Sequence, residues 1–124
     1  GRPDHTYANL QLIAGAALRG LRVFLVGDGY TVFAIRNESV RFPAGCRGTV
    51  SVFCSGADAG GVSESGLKYT LSDATLAASD PLGISNSFTG VEAEISVREG
   101  TLLIFVEGER AAEAVRFFES NAGK

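Results

Sequence analysis

The side chains in this 124-residue chain with the strongest chemical potential are three arginines, Arg19, Arg22 and Arg36. Counting parity along residues 21–36 puts Arg22 and Arg36 on one face of a predicted hairpin, at the end away from its turn, with Arg19 entering the same end. Guanidinium groups gathered in this way hold a phosphate or carboxylate through forked hydrogen bonds, so these three are the candidate anion-binding residues. The competing reading is that they are solvated surface charges, paired with Glu92 and Glu94 from another strand.

Other reactive groups form no set. Glu92 and Glu94 share a strand face about 7 Å apart, a separation some carboxylate-pair enzymes use and many solvated sheets also show. His5 is the lone histidine and lies in a polar stretch beside Pro3 and Asp4, without a rigid frame. Residues 61–65 miss a nucleophile elbow by their last glycine. Gly27-Asp28-Gly29 lacks the third glycine and following helix of a dinucleotide fingerprint. Asp58, Asp73 and Asp80 have no calcium-loop spacing. Cys46 and Cys54 stand alone, without histidines for zinc, and read either as two small apolar thiols or as a bridge across a hairpin. Asn37-Glu38-Ser39 is a formal glycosylation sequon, meaningful only in a secreted chain. The expectation is therefore no catalytic residue, no metal and no cofactor.

The elements that must position these groups read mainly as strands. Two β-rich runs, 21–26 and 30–36, surround an Asp-Gly turn and form a hairpin. Short strands are predicted at 39–42 and 48–54, and at 67–72 with Leu67, Tyr69 and Leu71 inward. Residues 91–97 alternate cleanly, with Val91, Ala93, Ile95 and Val97 on the dry face. Residues 101–106 are apolar on both faces, as in a central strand covered twice. From Glu109 the pattern turns helical, with Ala111, Ala114, Val115 and Phe118 on one stripe, predicting an amphipathic helix over 109–120 that docks Val115, Phe118 and Phe117 onto the sheet. Residues 7–18 fit either a strand or a helix behind Thr6; Gly15 favours a strand at 8–14. The glycine- and serine-rich stretches 55–66 and 79–90 read as long mobile loops. Residues 1–7 are expected to be a flexible arm, and 8–124 a single domain.

Hydrophobic residues make up 45% of the chain and charged residues 20%, enough to bury one core. Residues 1–54 carry six arginines against three acids, net +3, and residues 55–124 five bases against eleven acids, net −6. A chain this acidic overall is not a nucleic-acid binder by charge. The longest run without a polar side chain, 13–18, is far too short to span a membrane. There is no methionine, which suggests a processed chain or a domain of a longer protein. The compartment stays open, with an intracellular one favoured.

Several antiparallel strands followed by one closing helix resemble the pleckstrin-homology superfold, with polo-box domains as a second option. The resemblance spans residues 8–120, with 101–106 as the last strand and 109–120 as the closing helix. It implies that Phe117 or Phe118 takes the place of the usual helix tryptophan, and that the basic run of lipid-binding members is reduced to Arg19 and Arg22. It implies a protein-binding member rather than a membrane-headgroup binder. The expected fold is mainly β, an antiparallel barrel or sandwich of about seven strands capped by the C-terminal helix. The expected function is a non-catalytic protein-interaction or assembly module, with another protein or self-association as partner through Val115, Phe117 and Phe118. The alternative is binding of an anionic headgroup or small anion by Arg19, Arg22 and Arg36.

Overall fold

The computed structural model describes residues 3–79, 83–107 and 115–119. A helix, α1 (Pro3–Leu18), precedes ten strands: β1 (Leu25–Val26), β2 (Tyr30–Arg36), β3 (Glu38–Phe42), β4 (Thr49–Cys54), β5 (Ala59–Ser65), β6 (Leu71–Leu76), β7 (Gly83–Ser87), β8 (Ala93–Glu99), β9 (Thr101–Glu107) and β10 (Arg116–Glu119). They form two antiparallel five-stranded sheets, β1-β2-β9-β4-β7 and β10-β3-β8-β5-β6. Of the mainly β, antiparallel barrel or sandwich of about seven strands expected from the alternation, the sandwich forms, with ten strands among the described residues.

The doubly apolar run is β9, and it is central, between β2 and β4. Its Leu102, Ile104 and Val106 enter the inter-sheet core with Phe33, Ile35, Phe42, Ile95 and Val97. Its Leu103 and Phe105 face outward, where α1 covers them in a second cluster with Ile13, Val32 and Ala34. The covering helix is therefore at the N-terminal end. The strand expected at 8–14, and the arm at 1–7, give way to α1 from Pro3 onward. Gly15 does not prevent this, because the stripe Leu10, Ile13, Ala17 gains burial against β2 and β9. Proline suits the first helical position, and Gly20, at φ +74°, ends the helix: Leu21 N donates to Ala16 O and Gly20 N to Ala17 O, a Schellman stop.

The helix expected over 109–120 falls partly outside the described residues, but Arg116–Glu119 is a strand. It pairs antiparallel with β3, Phe117 opposite Val40 and Phe118 opposite Ser39. The stripe Val115, Phe118 also satisfies no helix here because alternation wins: Val115 is buried, Arg116 exposed and Phe117 half-buried. Pairing also satisfies an otherwise bare edge of β3.

The stretches expected to be long loops contain β5 and β7. Their alternation is hidden by irregularity: β5 shifts register between Ala59 and Val62 and again between Val62 and Glu64, and β7 pairs β4 with a shift between Val50 and Val52. The hairpin forms, although only Leu25–Val26 of its first run is strand. The strand expected at 67–72 begins at Leu71, leaving Tyr69 60% exposed rather than inward.

Three of the places where the chain passes between sheets are Asn37 (β2 to β3), 55–58 (β4 to β5) and Gly100 (β8 to β9). Asn37 N donates to Gly100 O, and Gly100 N donates to the Asn37 Oδ1, so two corners are clasped together. Cys46 and Cys54 are both free thiols.

Phe42 has no exposed surface and packs edge-on to Phe88, whereas Phe118 is 39% exposed. Chemical denaturation is expected to show a loss of about 3–5 kcal/mol for Phe42→Ala and about 1 kcal/mol for Phe118→Ala. Equal losses would contradict the placement of Phe118 on an outer strand face.

Candidate functional site

Two regions of the molecule gather polar groups. The first is a cleft of about 550 Å³ beside the corners, lined by Arg22, Arg36, Asn37, Glu38, Phe117 and Phe118 together with Ala17 and Leu18 at the end of α1 and Gly20 and Leu21 after it. The sequence parity of Arg22 and Arg36 thus brings both to one cleft, while Arg19 is exposed and does not line it. Each cleft arginine is engaged within the protein. Arg22 pairs with Glu38, and its guanidinium carbon stacks 3.6 Å from the centroid of the Phe117 ring. Arg36 Nη1 donates to the Thr101 hydroxyl at 3.0 Å, and its backbone N–H donates to Glu38. A carboxylate in the middle of the cluster cancels much of the field that an anion would need. The expected pairing with Glu92 and Glu94 is not what forms: Glu94 pairs instead with Arg41, at 3.1 Å.

The apolar residues expected to meet a partner are largely used internally. Val115 belongs to the core. Phe117 packs edge-on to Phe24 and Phe33 at 6.1 and 5.7 Å. Phe118 carries the Arg41 guanidinium 4.2 Å from its centroid.

The second region was not visible in the sequence reading. Asn86, on the edge strand β7, is 4% exposed and has its carboxamide fully committed. Its Oδ1 accepts from the backbone N–H groups of Tyr69 and Ser87, both at 2.9 Å. Its Nδ2 donates to Tyr69 O at 2.7 Å and to Glu64 Oε1 at 3.1 Å. Both polar groups of the Tyr69 residue are therefore held by one side chain, as a neighbouring strand would hold them. The Lys68 N–H donating to Ser87 O and the Leu67–Phe88 bridge extend this seam between the sheets.

The 66–70 segment that results has a fixed path. Gly66 lies at φ +74°, and any Cβ there would sit 2.0 Å from Glu92 O, so only glycine fits. Ser85 holds the left-handed region, φ +61°, without being glycine, an uncommon conformation. What the frame presents outward is the Tyr69 ring, with Lys68 Nζ 5.4 Å from its centroid. Such a face accepts flat and cationic groups. Glu64 is 1% exposed; burial pushes its carboxyl up from the usual range, opposed by the hydrogen bond from Asn86. The only sequence signal was Glu64 itself, an acid with Val62 on what proves to be a strand, hidden by the register shifts.

Among the described residues no cluster of histidine, cysteine or acids could hold a metal, and no helix is long and apolar enough to cross a membrane.

The fold is similar to several solved structures. Thiamine pyrophosphokinase from Bacillus subtilis superposes with a TM-score of 0.79 at 19% identity, covering 88% of this chain and 52% of that one. Thiamin pyrophosphokinase from Geobacillus thermodenitrificans gives 0.73 at 20% identity, covering 90% and 51%. A thiamin pyrophosphokinase family protein from Enterococcus faecalis gives 0.68 at 21%, covering 89% and 52%. The chain thus spans about half the length of these proteins. No curated protein was found similar in sequence. The likeness replaces the pleckstrin-homology and polo-box resemblance: two five-stranded sheets pack face to face, and the described end of the chain adds a strand, β10, where that superfold closes with a helix. The expectation of a non-catalytic interaction or assembly module is overturned by the family match. Residues 37–102 match the sequence profile of the family described as thiamin pyrophosphokinase, vitamin B1 binding domain, and the chain belongs to that family.

Proposed function

We propose that this chain binds thiamine, on the surface formed by residues 66–70 and β7, as the acceptor-binding half of a protein that pyrophosphorylates thiamine. The observation that carries this reading is where the family match falls. Residues 37–102 contain Glu64, Lys68, Tyr69 and Asn86, whereas Arg19, Arg22, Arg36, Val115, Phe117 and Phe118 all lie outside it. A binding surface shared by a family has to be built from the part that the family shares.

The chemistry agrees. Thiamine is a permanent cation, its charge on a flat thiazolium ring joined to an aminopyrimidine. An arginine cluster is the wrong sign for it. An exposed tyrosine face is the right one, the thiazolium taking the place of the Lys68 ammonium that lies over it in the free chain. Cation–π and stacking contacts each contribute about 0.5–2 kcal/mol, enough for orientation and modest affinity. Backbone held rigidly by Asn86 lowers the ordering cost of binding, because the loop is in place before the ligand arrives.

Calorimetric titration of the chain with thiamine is expected to give saturable binding. Tyr69→Ala should weaken it about tenfold, near 1.4 kcal/mol, with the melting temperature unchanged because the ring is largely exposed. No binding by the wild type, or undiminished binding by Tyr69→Ala, would overturn the proposal. Asn86→Ala strands a buried carboxyl and the peptide groups of Tyr69. It should therefore lower unfolding stability by about 2–4 kcal/mol as well as abolish binding. A stable Asn86→Ala protein that retains thiamine would show that the clamp is dispensable.

A further inference from the structure

Glu64 is the one buried acid among the described residues, and its two oxygens are unequal. Oε1 accepts from Asn86 Nδ2 at 3.1 Å, and Oε2 has no hydrogen-bond partner. It projects from the inward face of β5, with Leu71 of β6 and Ile95 of β8 opposite it in the sheet. The titratable groups of the flanking elements are Asp73 on β6, Glu94, Arg98 and Glu99 on β8, and Lys68 and Tyr69 in the loop. Asp73 is paired with Arg98 and Glu94 with Arg41, and the inward residues of β8 are Ala93, Ile95 and Val97. β7 carries no titratable group. Among the described residues of these elements no cation pairs with Glu64, and burial without one favours the protonated carboxyl over the carboxylate.

We propose that Glu64 is a positioning residue for the 66–70 segment: its neutral carboxyl orients the Asn86 carboxamide that holds both polar groups of Tyr69, and removal of its proton loosens that segment. The carboxyl oxygen fixes which end of Asn86 points into the sandwich. With the NH₂ end anchored there, Oδ1 is left facing the Tyr69 and Ser87 N–H groups. A carboxylate at the same place accepts more strongly from Asn86, but it must also be solvated, and the water it draws into the seam opens the bonds between Asn86 and Tyr69. The effect on thiamine affinity rests on the binding reading above; the effect on the loop does not.

The direction with pH follows from the raised carboxyl. The folded chain keeps a proton that the unfolded chain releases near the ordinary glutamate value, about 4.3. Stability from Glu64 is thus greatest at or below that value, falls as pH climbs towards the folded-state value, and is level above it.

The test contains no thiamine, so its failure and that of the binding reading are separate results. Amide exchange at Tyr69 and Lys68, corrected for intrinsic base catalysis, is followed from about pH 4 to about pH 9, with the Glu64 carboxyl carbon shift recorded in parallel. The expected result is an opening step of about tenfold or more whose midpoint coincides with the Glu64 titration, and its absence in Glu64→Gln, which keeps the hydrogen bond without the proton. Titration of Glu64 near 4.3, or an identical exchange step in Glu64→Gln, would overturn the proposal. Should the variant fail to fold, the wild-type comparison decides alone: a step that does not coincide with Glu64, or no step, refutes it.

Discussion

One carboxamide holds an edge of this domain together. A sandwich leaves bare backbone along its edge strands, and here β7 is the edge of one sheet and β6 of the other. The chain between β5 and β6 is drawn against β7 by Asn86, which offers a donor and an acceptor where a strand would offer its own. Buried polar groups must be paired, so a side chain that satisfies three backbone groups and a carboxyl at once cannot be exchanged for an apolar residue of the same shape. The outward Tyr69 follows from the path this imposes, while glycine at position 66 is required by the close approach of Glu92 O. A second asparagine, Asn37, fastens two sheet-to-sheet corners by the same device, bonded to the backbone of Gly100.

The arginine cleft shows how like chemistry serves another end. Arg22 is sandwiched between a carboxylate and the face of Phe117, and Arg36 ties a corner to Thr101. These contacts join the segment after α1 to β10 and to the corner at Asn37. Their net charge is largely spent within the protein, which leaves little field for a ligand. The arginines clustered at one end of the hairpin take part in packing there, and Arg22 and Arg36 lie outside residues 37–102, which the family profile matches.

Much of the fold was legible because period-two alternation is strong where strands are regular. β8 and β9 are read from the alternation over 91–97 and the apolar run over 101–106, although Val91, expected on the dry face, is exposed before β8 begins, and the double apolar character of β9 announces a cover on its outer face. Which helix supplies that cover is not a local property. Residues 7–18 satisfy both periods, and only docking against Val32 and Phe105 selects the helix. Likewise Val115 and Phe118 fit a helical stripe, while the free edge of β3 selects the strand. The site was illegible for a different reason. Asn86 and Glu64 sit in glycine- and serine-rich stretches whose strands are interrupted by register shifts, so composition reads as loop. Their partnership spans 22 residues and exists only once two sheets are stacked. Arg22 and Arg36 were found because a single hairpin brings them together.

The central claim is that the surface framed by Asn86, and not the arginine cleft, receives thiamine. Mapping backbone amide shifts of the chain during a thiamine titration tests it most directly. The account predicts that the largest changes fall on residues 66–70 and 85–88, with Arg22, Arg36, Glu38 and Phe117 unmoved. Changes concentrated on those cleft residues, with Tyr69 and Asn86 silent, would contradict it.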